Sequence, residues 1–134
     1  MSSAPPAVLV IDDDAATRDL LSRLVGFFGF DAISAPNGLA GVRAFLAERD
    51  RIACVLLDAV MPVMGGADAL REMRQNGIDV PVFVVSGQPI DSLRTKFAAA
   101  APEEFVHKPC TGDTLLELFQ RFDLLPEPPA RAAS

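Results

Sequence analysis

The chain has 134 residues, 50% of them hydrophobic, so it can form one domain with a core large enough to need no disulfide staples. Its formal net charge of -6, with lysine and arginine scattered rather than clustered, excludes an autonomous grip on nucleic acid. No apolar stretch is long enough to span a bilayer, and residues 1–6 (MSSAPP) lack the regions of a signal peptide, so a cytoplasmic protein without membrane contact is expected.

Those first six residues read as a disordered N-terminus. The apolar runs at 7–11 (AVLVI), 53–57 (ACVLL) and 80–85 (VPVFVV) are continuous rather than alternating, as in strands of a parallel sheet covered on both faces. Weaker strands fit at 32–35 and 104–106. Helical patterns fill the intervals at about 15–28, 38–49, 67–76, 91–100 and 113–123, so strand and helix alternate through an α/β domain of five βα units over residues 7–123. Asn37 and Thr111 suit helix N-caps, and Asp13 or Asp14 could cap the first helix. Gly29 and Gly77 suit positions just past a helix end, and Pro102 is placed to close the fourth helix.

On the first helix Leu21, Val25 and Phe28 form the core-facing stripe, while Leu20, Leu24 and Phe27 widen the apolar arc to about half the circumference. A helix end tucked under the second strand accounts for Phe27 better than for Leu20, which leaves Thr17, Leu20 and Leu24 as candidates for partner docking. Residues 124–134, ending in PEPPARAAS, have no periodicity and read as a proline- and alanine-rich tail or a linker stub. Cys54 and Cys110 have no CxxC partner and are expected to be reduced thiols. His107, the only histidine, has no second ligand nearby and reads as an exposed strand-end residue.

In open parallel sheets the functional crevice lies outside the carboxyl ends of the strands. Asp12 and Asp13 follow the first strand, Asp58 the third, Ser86 and Gly87 the fourth, and Lys108 the fifth. Singly, each has an ordinary explanation as a cap, a strand end or a solvated amine. Jointly, three carboxylates, a hydroxyl and an ammonium on one edge form a phosphoryl-transfer site built on a divalent cation. Carboxylates this close repel unless a cation balances them, and Mg²⁺ or Mn²⁺ takes such hard oxygen ligands. Asp13 and Asp58 would bind the metal directly and Asp12 directly or through water, with a backbone carbonyl of the Asp58 loop completing the set. Asp58 would be the nucleophile, with the phosphoryl oxygens neutralised by the metal, Lys108 and Ser86, and Gly87 would leave the entry open.

The ordered set IDD, LLDAVMPVMGG, VVSG and HKP, spread over residues 7–123, resembles the receiver domain of the two-component response-regulator family. The resemblance implies a flavodoxin-like five-stranded parallel sheet of order 2-1-3-4-5 with helices on both faces. It makes Asp58 the phosphoacceptor, Asp12 and Asp13 the acidic pair, and Val60 the source of the metal-binding carbonyl. Ser86 becomes the switch hydroxyl, Lys108 the phosphate-contacting lysine, and Ala59 and Gly87 further phosphate neighbours; Met61, Pro62 and Gly65 match the loop after the acceptor. It also implies a phosphohistidine donor on a sensor histidine kinase or histidine phosphotransfer protein, and a downstream protein target that responds to changes in the fourth helix, fifth strand and fifth helix. Such a protein catalyses only its own phosphorylation and dephosphorylation.

Three features depart from the family pattern. Phe105 stands where the switch aromatic is commonly tyrosine. Ala59, Val60 and Gln88 flank the acceptor where related proteins vary, and Gln88 reads as a solvated loop residue rather than as one that positions a hydrolytic water. FAAAAP at 97–102 lacks the charged pattern of receivers that dimerise in the DNA-binding subfamilies. Two other functions are weighed. A haloacid-dehalogenase-like phosphatase also uses an aspartyl phosphate, but needs Asp-x-Asp-x-Thr where Asp14 is followed by Ala15, Ala16 and Thr17. A flavin binder shares the fold, but the acidic segment after the first strand would repel a flavin phosphate.

Overall fold

In the computed structural model, which describes residues 4–126, strand and helix alternate without exception. The elements are β1 (Ala7–Ile11), α1 (Ala15–Phe27), β2 (Asp31–Ala35), α2 (Gly38–Glu48), β3 (Ile52–Leu57), α3 (Gly66–Gln75), β4 (Val82–Ser86), α4 (Ile90–Lys96), β5 (Glu104–His107) and α5 (Gly112–Arg121). All strand pairs are parallel and the order is β2-β1-β3-β4-β5. This is the expected architecture.

The continuous apolar strands split their side chains between two cores, because successive residues of a strand face opposite sides of the sheet. Leu9, Ile11, Leu57 and Val84 pack with α2, α3 and α4 through Phe45, Leu70, Met73 and Leu93. Val8, Val10, Leu56, Phe83 and Val85 pack with α1 and α5 through Leu21, Val25, Leu115 and Phe119. Ile11 lies opposite Leu57, and Ser86 opposite His107, so the residues that follow these strands emerge along one edge. The Asp58 amide donates to the Ile11 carbonyl at 2.9 Å, and the Lys108 amide to the Ser86 carbonyl at 2.8 Å, locking that edge.

Local chemistry sets the helix ends. Asp14 caps α1, accepting from the Thr17 amide at 3.0 Å and its hydroxyl at 2.6 Å. Asn37 and Thr111 cap α2 and α5 through the Ala40 and Thr114 amides. Gly29 and Gly77, at φ 97° and 82°, take the left-handed conformation that lets the chain leave α1 and α3.

Two expectations change. The fourth helix ends at Lys96 rather than near residue 100, so Pro102 does not close it. Phe97 and Ala100 turn into the core, Ala101 takes φ 49°, and Arg74 donates to the Ala100 and Ala101 carbonyls at 3.1 and 2.9 Å. Core packing and this arginine override an alanine run that would by itself continue the helix. Phe27 is not tucked under β2 but is 83% exposed; Phe28 turns inward instead, meeting Phe119 edge-on at 5.6 Å. Beyond α5, Leu124 packs on the α1 and α5 side, its amide bonded to the Phe119 carbonyl at 2.8 Å. Of the stretches expected to lack order, residues 1–3 and 127–134 lie outside the described residues. No described helix is long and apolar enough to cross a membrane.

Candidate phosphoryl-transfer site

The strand register delivers Asp12, Asp58, Ser86 and Lys108 to one end of the sheet, with Asp13 on the β1–α1 loop. Carboxylate oxygens of Asp12, Asp13 and Asp58 lie within 4.8 Å of one another. Asp12 is buried and held from two sides: Oδ1 accepts the Asp14 amide at 2.9 Å, and Oδ2 meets Lys108 Nζ at 3.0 Å. Asp58 is buried too; its Oδ1 accepts the Ala59 amide at 2.8 Å and lies 3.6 Å from Lys108 Nζ. Asp13 is exposed, and among the described residues no hydrogen bond or ion pair holds its carboxylate.

Burial and the repulsion of Asp12 push the Asp58 pKa up from 3.8 to about 6, although Lys108 and the Ala59 amide pull it down. Burial alone would lower the Lys108 pKa. The Asp12 hydrogen bond and the charges of Asp58 and Asp12 outweigh it, so Lys108 stays protonated more firmly than a free lysine. Three carboxylates against one ammonium leave an excess of negative charge. Hard oxygen donors in this number fit Mg²⁺ or Mn²⁺, which accept carboxylates and carbonyls while keeping several waters.

The loop after β3 wraps closely around the acceptor. Gly66 donates to the Ala59 carbonyl at 2.9 Å, and a Cβ at Gly66 would lie 2.2 Å from the Asp58 carbonyl oxygen, so only glycine allows this approach. Val60 sits half-exposed on the loop. Val63 takes φ 71°, a left-handed conformation that β-branched residues avoid. Across the site, buried Ser86 accepts the Gln88 amide at 3.1 Å, and Gln88 Oε1 accepts Lys96 Nζ at the same distance. Gln88 is thus tied to α4, not simply solvated. Gly87 faces open space.

Phe105 is half-buried, edge-on to Phe97 at 5.9 Å and covered by the Arg94 guanidinium 5.8 Å from its centroid. Thr17 and Leu20 line an apolar cavity of about 270 Å³ with Leu21, Val85, Lys108, Pro109 and Cys110, beside the phosphoacceptor edge. Leu24 lies farther along α1, in a groove with Phe27, Phe28 and Leu116. His107 is exposed, its Nδ1 2.7 Å from the Lys108 carbonyl oxygen. Burial pushes Cys54 up to about 12 and Cys110 to about 11, so neither thiol is a ready nucleophile.

Sequence reasoning missed two residues. Gly66 leaves only a faint signal as the second glycine of MGG. Arg18, whose Nη1 donates to the Asp12 carbonyl at 2.8 Å, leaves none, because one arginine on a helix looks like any other solvated cation.

The model of the response regulator receiver domain matches residues 8–120, and the chain belongs to that family. It is 32% identical over 112 residues to response regulator MprA of Mycolicibacterium vanbaalenii, covering 84% of this chain and 48% of the relative. The MprA of Mycobacterium leprae is 30% identical over 109 residues, covering 81% and 47%. The chain thus spans about half the length of these curated relatives. Among solved structures, the CheX-CheY-BeF3-Mg complex of Borrelia burgdorferi matches with a TM-score of 0.80 and 25% identity, covering 89% of this chain and 90% of that one. The receiver domain of the sensor histidine kinase PA1611 of Pseudomonas aeruginosa, with magnesium coordinated in its active-site cleft, matches with a TM-score of 0.78 and 26% identity, covering 89% and 98%. The phosphatase and flavin-binder alternatives are set aside. The acidic cluster is poised for Mg²⁺-dependent phosphotransfer in two-component signalling, and such domains catalyse only their own phosphorylation and dephosphorylation.

Proposed function

We propose that Asp58 is the phosphoacceptor of this chain, that Asp12, Asp13, Asp58 and the Val60 carbonyl hold Mg²⁺, and that Lys108, Ser86, Ala59 and Gly87 receive the phosphoryl oxygens. One observation carries the reading: three carboxylates within 4.8 Å, two of them in reach of one lysine, on the edge where an open parallel sheet places its site. The cation, when bound, neutralises charge on the phosphoryl oxygens. An Asp58 oxygen attacks the phosphorus of a phosphohistidine, the P–N bond breaks as the acyl phosphate forms, and the released imidazole nitrogen keeps the electron pair. The Lys108 ammonium shifts part of its bonding from Asp12 to the incoming phosphoryl oxygens, while the Ser86 hydroxyl turns from the Gln88 amide to donate to them. Ser86 and Phe105 then act as the switch.

The donor we propose is a sensor histidine kinase or a histidine phosphotransfer protein that docks on Thr17, Leu20 and Leu24. The apolar cavity next to Lys108 supports that surface, since a donor must bring its phosphohistidine to Asp58. The recipient is a downstream protein, with neither nucleic acid nor membrane contacted directly, and the setting is cytoplasmic. Residues 7–123 are the proposed receiver, with Leu124 packed against it, and the rest of 124–134 a proposed tail or linker. Phosphotransfer from a radiolabelled phosphohistidine protein tests the donor: Leu20→Glu should slow transfer at least tenfold while labelling by acetyl phosphate stays unchanged. Equal slowing of both would place Leu20 outside docking.

A further inference from the structure

We infer that Arg18 is a positioning residue for the metal-binding loop, fixing the backbone from which Asp13 reaches the cation; this deepens, and rests on, the Mg²⁺ site proposed above. Asp12 is pinned by Lys108, by the Asp14 amide and, through its carbonyl, by Arg18 at 2.8 Å, whereas the Asp13 carboxylate has no partner of its own among the described residues. The placement of Asp13 therefore depends on the peptide joining it to Asp12, whose oxygen Arg18 holds. Arg18 belongs to the first turn and a half of α1, where a cation opposes the helix dipole and the nearby N-cap carboxylate of Asp14 attracts it. Its guanidinium instead reaches back six residues to the loop, a charge-assisted bond that a solvated arginine would not make.

Charge and positioning predict opposite signs. A cation near a divalent-metal site weakens metal binding, so removing Arg18 would tighten Mg²⁺ if charge were its only effect. Loss of positioning instead weakens Mg²⁺, by about tenfold if it resembles other outer-sphere partners of metal ligands. The experiment is Mg²⁺ titration by calorimetry on Arg18→Met and Arg18→Gln, paired with metal-free hydrogen exchange of the Asp14 amide. Weaker Mg²⁺ binding and faster Asp14 exchange in the folded variants are expected. Mg²⁺ affinity equal to or above wild type in either folded variant, or unchanged Asp14 exchange, would overturn the assignment. If wild type itself took no Mg²⁺, the site reading would fail separately, and Asp14 exchange would still decide whether Arg18 orders the loop.

Discussion

Lys108 Nζ lies 3.0 Å from Asp12 Oδ2 but 3.6 Å from the nearer oxygen of Asp58, so the ammonium is bonded to Asp12 and only leans on the acceptor. The acceptor is left with burial and repulsion largely uncompensated, and its raised pKa follows. A carboxyl that holds its proton more tightly in the folded state stabilises the fold at low pH. That contribution is complete below about pH 4 and is lost as pH rises through about 6. The gap between 3.8 and about 6 corresponds to roughly 3 kcal/mol as an upper figure. In EDTA, Asp58→Asn should therefore be more stable than wild type at pH 7, by about 1–3 kcal/mol, with the gap closing near pH 4. Chemical denaturation at the two pH values measures it.

Val63→Asn should stabilise the domain by about 1 kcal/mol, because asparagine tolerates the left-handed backbone that valine resists. Val63 is 77% exposed, so little packing is lost. A rise in Tm with unchanged Mg²⁺ affinity is the expected result.

Gly66→Ala and Gly87→Ala separate a packed glycine from an open one. The first sets a methyl group against the Asp58 carbonyl and should cost about 1–3 kcal/mol and slow acceptance of phosphate. The second meets nothing within 4 Å and should stay within about 0.5 kcal/mol of wild type. Denaturation and acetyl phosphate labelling of both variants compare them.

Ser86→Ala should leave Asp58 able to accept phosphate at a reduced rate but uncouple it from α4. The Ser86 hydroxyl accepts the Gln88 amide, and Gln88 in turn receives Lys96, so a hydroxyl drawn toward the phosphoryl group pulls on that chain and opens space for Phe105. With no hydroxyl, the half-buried Phe105 ring has only apolar and cation–π contacts, among them Phe97 and the Arg94 guanidinium, to fix its position, and both ring states should be populated before phosphorylation. NMR shifts over residues 86–108 on adding beryllofluoride test this: wild type should respond along the whole segment and Ser86→Ala only near Asp58.

The order of elements was legible because the three apolar runs are too continuous for one-sided strands and too short for helices. The site edge was legible because Asp12 and Asp58 directly follow such runs, while Lys108 comes just past the weaker fifth strand. The length of α4 was not: the alanine run states a local preference, while Phe97, Ala100 and a hydrogen bond from Arg74, 26 residues earlier than Ala100, decide the outcome. The inward turn of Phe28 was legible, since it shares the helical stripe of Leu21 and Val25, whereas the full exposure of Phe27 was not, because its apolar side chain suggested cover from β2. The strain at Val63 and the reach of Arg18 depend on backbone geometry that no spacing rule encodes.

The most direct test is mass spectrometry of the protein after incubation with acetyl phosphate and Mg²⁺. One phosphoryl group should be added, labile in alkali, located on Asp58 and abolished in Asp58→Ala or by EDTA. Labelling of Asp58→Ala to the wild-type extent would contradict the account.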